Sequence, residues 1–72
     1  MSKLLDAFID LGYRFESKRL RGESLSREDR MLADKLQKQA TKDGLSQSLR
    51  NSCIIEGEAQ ARSEVYKGKR YA

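Results

Sequence analysis

Leu4, Phe8, Leu11 and Phe15 recur at intervals of four, three and four, the spacing that lines side chains along one stripe of an α-helix. Leu5, Ile9 and Gly12 widen that stripe on one side, which leaves Asp6, Asp10, Arg14, Lys18 and Arg19 to face water. The pattern predicts a first helix over residues 2–21. Gly22 stops it, and Lys18, Arg19 and Arg21 lie near its C-terminal end, where the helix dipole favours cations. A second helix over 26–42 opens on Ser26 with Asp29 three residues on, a capping box with Asp in the usual Glu position. Leu32, Leu36 and Ala40 form its apolar face, Met31 and Ala33 flank it, and Asp43-Gly44 ends it.

The third apolar pattern is weaker. Leu45, Leu49 and Ile55 read as anchors of a helix over 46–66, with Cys53 and Ile54 nearby. Gly57 costs a helix interior about 1 kcal/mol relative to Ala, so a stop or bend is expected there. Beyond it Ala59, Ala61, Val65 and Tyr66 extend a thinner pattern into a basic tail, residues 67–72, expected to fray. No proline interrupts any of the three segments. The expected fold is all-α, a single small domain of three helices.

Composition sharpens that picture. Nine Leu, three Ile, one Val and two Phe are all the strong apolar residues in 72, against 36% charged residues. At this length a folded chain buries only about 60% of its unfolded surface. Such a core usually needs a staple, a metal or a partner. One cysteine excludes an internal disulfide, and with no His there is no zinc site. A partner remains, either a second copy or another protein. The net charge of +4 permits an acidic partner without demanding one. No apolar run reaches the roughly 18 residues that span a bilayer, and Asp6 and Asp10 break up any signal-peptide pattern, so a cytoplasmic protein without membrane contact is expected.

Catalysis finds little support. The absence of His removes Ser-His and Cys-His nucleophile pairs, and the five glycines are scattered singly rather than forming a phosphate loop. No cofactor or metal is expected. The chemistry that stands out is Ser52-Cys53-Ile54-Ile55-Glu56-Gly57. Four residues apart on a helix, Ser52 and Glu56 stack on one face, and Gly57 follows at once.

This stretch resembles the inhibitory motif of Fic-domain adenylyltransferases: Ser or Thr, three residues, Glu, then Gly or Asn. A chain this short contains no Fic domain, so it is similar to the stand-alone inhibitory antitoxins of the VbhA type. The resemblance covers about a fifth of the chain. It implies an antitoxin wrapped on or docked against a Fic protein encoded beside it. Glu56 would pair with the Fic-loop arginine that holds the ATP γ-phosphate, a strong bidentate contact that misaligns the nucleotide. Ser52 would fix the register, Gly57 would permit close backbone approach, and Leu49, Ile55 and Cys53 would contact the partner. A second likeness lies in Ser17-Lys18-Arg19-Leu20-Arg21-Gly22, followed by a capped helix. There Arg21 stands where the glutamate belongs, and an arginine cannot clamp another arginine, so that segment reads as a helix end. Two other functions follow from the residues. One is a small basic nucleic-acid-binding regulator, using Tyr66 and Tyr71 among Lys67, Lys69 and Arg70. The other is a helical dimer or secretion-type chaperone whose first two helices form a hairpin.

Overall fold

A computed structural model describes the backbone of residues 3–71 and the side chains of residues 3–65. The chain is all-α. Helix α1 spans Lys3–Leu20, α2 Arg27–Lys42 and α3 Gln47–Tyr71. Among the described residues no helix is long and apolar enough to cross a membrane.

The expected helix ends are built as the sequence suggests. Gly22 (φ 74°) and Gly44 (φ 75°) take the left-handed conformation that side chains resist. At the end of α1 the amide of Glu23 donates to the Lys18 carbonyl (2.8 Å) and that of Gly22 to Arg19 (3.0 Å). At the end of α2 Leu45 donates to Ala40 (2.9 Å) and Gly44 to Thr41 (3.2 Å). Both are Schellman closures, which satisfy carbonyls the helix leaves free. The capping box of α2 is complete: the Asp29 amide donates to Ser26 Oγ (3.1 Å) and the Ser26 amide to Asp29 Oδ2 (3.0 Å).

The closest helix pair is α1 with α3. Gly12 lies against Ile54, Gly57 against Ile9 and Tyr13, and Glu16 against Arg62. Residue numbers rise together along both helices, so they run parallel, with α2 returning between them in the chain. Two glycines set the crossing. A Cβ on Gly57 would fall 1.9 Å from the Ile9 carbonyl oxygen, and one on Gly12 2.1 Å from the Ile54 oxygen. Neither backbone has room for a methyl group. Gly57 therefore does not stop α3. It lets the helix pass, and α3 continues to Tyr71, beyond the expected end at 66.

Phe8, Leu11, Ala40 and Cys53 form the buried core, and Leu4, Phe15, Leu32, Leu36, Leu45 and Ile54 pack around it. Phe8 is the one large side chain fully buried among the described residues. The stripe predicted on α1 is thus real, and of the three anchors predicted for the third helix Leu45 packs on the core while Leu49 and Ile55 do not. Leu49 is 41% and Ile55 58% exposed. The inward face of α3 carries Cys53, Gly57 and Ala61 instead, small residues that allow close approach. Met31, expected beside the apolar face of α2, is exposed as well. Lys18, expected in water, folds onto Asp29. The side chains of the basic tail, including Tyr66 and Tyr71, lie outside the described residues.

Candidate partner-binding face of the third helix

Helix α3 starts on a cap. The Leu49 amide donates to Ser46 Oγ (3.2 Å) and the Arg50 amide to the Ser46 carbonyl (3.1 Å). Arg50 is buried. Its guanidinium donates to the Leu45 carbonyl (Nε 3.0 Å, Nη2 2.6 Å) and to Gln37 Oε1 (2.9 Å), locking the α2–α3 turn. The start of α3 is held firmly, and the face it shows to solvent follows from the face it buries.

Six residues carried the sequence-based expectation, and the structure divides them. Ser52, Ile55, Glu56 and Leu49 point outward. Cys53 and Gly57 point at α1. Ser52 Oγ donates to the Ser48 carbonyl (3.0 Å), one turn back on its own helix. A serine in that geometry is free to exchange its partner for another acceptor. Glu56 makes no hydrogen bond or ion pair among the described residues, although it sits one turn from Ser52. An unpaired carboxylate beside a hydroxyl, flanked by exposed Leu49 and Ile55, can accept a cation from outside.

The expectations for Gly57 and Cys53 need correction. Gly57 was expected to let a partner's backbone approach, but its open side is already filled by Ile9 and Tyr13 of the same chain. Cys53 was expected at a partner contact, yet it is 7% exposed and belongs to the core. Burial pushes its thiol above the usual range, with the carboxylates of Glu56 and Asp6 adding to the effect. It is packing material, not a reactive thiol. The early Ser17–Gly22 segment is the end of α1, and its Arg21 Nε donates to Glu23 Oε2 (2.5 Å).

Two carboxylates are buried, Glu16, which the sequence reading did not single out, and Asp29, expected only as the capping-box partner of Ser26. Glu16, 3% exposed, accepts from Arg19 (Nε 2.6 Å, Nη2 2.9 Å) and from Arg62 of α3 (2.7 Å). The Arg19 fork, assisted by Arg62, holds its pKa down at about 2 against the desolvation that opposes it. Asp29, also 3% exposed, accepts from Lys18 and from the Ser26 amide it caps, and Arg14 adds a looser ion pair at 3.6 Å. Lys18 first, then the Ser26 amide, holds it at about 2. Gly12 was placed on the apolar stripe of α1, but its part in the helix crossing was missed, and a signal existed. A glycine on the apolar stripe of α1 and another mid-helix in α3 mark two backbones meant to touch.

Among the described residues no three His, Cys, Asp or Glu side chains gather as metal ligands. No protein-family profile matches the chain, nor does any curated protein or solved structure.

Proposed function

We propose that this chain is a stand-alone antitoxin that inhibits a Fic-domain AMP-transferase in trans, as a cytoplasmic, non-catalytic partner encoded beside it. The observation that supports this reading is the outward pairing of Ser52 and Glu56 on α3, with the Glu56 carboxylate unpaired among the described residues. Glu56 takes the Fic-loop arginine that would otherwise bind the ATP γ-phosphate. Such a desolvated carboxylate–guanidinium pair is directional and bidentate. Ser52 fixes the register one turn earlier, and the exposed Leu49 and Ile55 supply apolar contact on the same face. Gly57 acts inside the antitoxin, fastening the inhibitory helix to α1 so that the carboxylate is presented on a rigid support. The chain docks with one face of a preformed helix pair.

The test is to co-purify the chain with its neighbour-encoded protein and measure adenylylation. Glu56→Ala keeps the helix, so the complex is expected to persist while activity returns. A complex that stays silent with Glu56→Ala defeats the mechanism, and a neighbour without Fic activity defeats the assignment.

A further inference from the structure

The side of α1 turned away from α3 is open. Together with α2 it walls a groove of about 500 Å³. Leu32 and Leu36 of α2 are half-buried on its floor, and Ala7, Asp10, Arg14 and Ser17 of α1 line the edge at intervals of three and four. Asp10 makes no hydrogen bond or ion pair among the described residues. Arg14, 55% exposed, has only the loose 3.6 Å approach to Asp29, which Lys18 already neutralises. An acid and a base four residues apart stand side by side, and neither is used by the other.

We propose that this face binds a second copy of the chain, α1 against α1, antiparallel across a two-fold axis near residue 12. That axis places Asp10 opposite Arg14 of the copy, and by symmetry Arg14 opposite Asp10. It also places Ala7 opposite Ser17, two small residues at the flanking contacts, so the helices can approach closely. One self-complementary patch forms both ion pairs, as an isologous interface requires. Arg21, further along the edge, is occupied by Glu23 and adds no free charge.

Area points the same way. A folded monomer of 8.3 kDa exposes about 4,600 Å², whereas this chain exposes 5484 Å². The excess of about 900 Å² is close to the roughly 800 Å² one partner contributes to a standard interface. The dimer leaves the Ser52–Glu56 face free, so it goes beyond the antitoxin reading and stands without it.

Sedimentation equilibrium of the full chain, from about 10 μM to about 1 mM, tests the proposal. The mass is expected to rise towards twice 8.3 kDa. Asp10→Arg and Arg14→Asp are each expected to weaken self-association by about tenfold or more, because like charges then meet twice across the axis. The double variant Asp10→Arg/Arg14→Asp is expected to recover the dimer. Circular dichroism checks that each variant keeps its helices, as exposed positions should. A chain monomeric at every concentration overturns the proposal, as do single variants that dimerise like the native chain or a double variant that stays monomeric.

Discussion

The two ends of the helix bundle are held by different physics. At the end where α1 begins, α2 finishes and α3 starts, Phe8, Ala40, Leu45 and Cys53 exclude water, and Arg50 ties the turn to backbone oxygen. At the other end two carboxylates are buried, Glu16 and Asp29, each held by cations from α1 and, for Glu16, from α3. Apolar burial stabilises without direction, whereas a buried carboxylate holds only partners in the right place. The apolar end therefore supplies most of the stability, and the charged end sets which helices meet in which register. A chain with so few strong apolar residues has one core to spend and uses ion pairs to align the rest.

Deleting the apolar end should have the largest effect. Phe8→Ala removes the only fully buried large side chain among the described residues, at a cost of about 3–5 kcal/mol. Small single-core domains seldom hold more than that. The variant is expected to lose its cooperative thermal transition in far-UV circular dichroism; an unchanged melt would remove Phe8 from the core. Gly57→Ala comes next. Alanine favours a helix by about 1 kcal/mol, but its methyl would meet the Ile9 oxygen at 1.9 Å, so α1 and α3 must separate. Overpacking of this kind costs about 1–3 kcal/mol. Denaturant unfolding should show a net loss of up to about 2 kcal/mol, and a gain would mean the helices do not cross there.

The same contrast explains what could be read from the sequence. The three helices, the capping box at Ser26 and the glycine stops were legible, because apolar spacing and turn chemistry act locally. The apolar end was legible on α1 and α2 for the same reason. The inward face of α3 was not. Leu49 and Ile55 look like anchors to any rule that ranks hydrophobicity, yet the crossing selects smallness, and Cys53, Gly57 and Ala61 carry almost no apolar signal. Gly57 looked like a break because its cost to an isolated helix is known and its contact with Ile9 is not. Glu16 was invisible for another reason: its partner Arg62 lies 46 residues away. Of the candidate site, the outward Ser52–Glu56 pair follows from helical spacing alone, but which neighbours faced inward required the fold.

The charged end should respond to acid while the apolar end does not. Glu16 and Asp29 titrate at about 2 in the folded chain, below their ordinary values of 4.5 and 3.8. A carboxylate with a lowered folded pKa contributes fully above its unfolded value, and that contribution is lost as pH falls towards the folded one. The melting temperature should hold from neutral pH to about 5, then drop between about 4.5 and 2. Glu16→Gln should melt lower than the native chain at neutral pH, by less than Phe8→Ala does, and show a shallower acid drop. An equal drop in both would place the acid sensitivity elsewhere.

The smallest effect on stability is expected at the outward face of α3. Ile55 is 58% exposed, so Ile55→Lys removes little buried area and should change unfolding free energy by no more than about 0.5 kcal/mol. Helix α3 is long and already anchored through Gly57 and Arg62, so a lysine there has no neighbour to displace. If the face binds a partner, the same substitution should weaken co-purification strongly, because a charge then enters an apolar contact. A stable fold with lost binding separates presentation from support. An unfolding free energy lowered by about 2 kcal/mol or more would instead place Ile55 in the core, against its exposure.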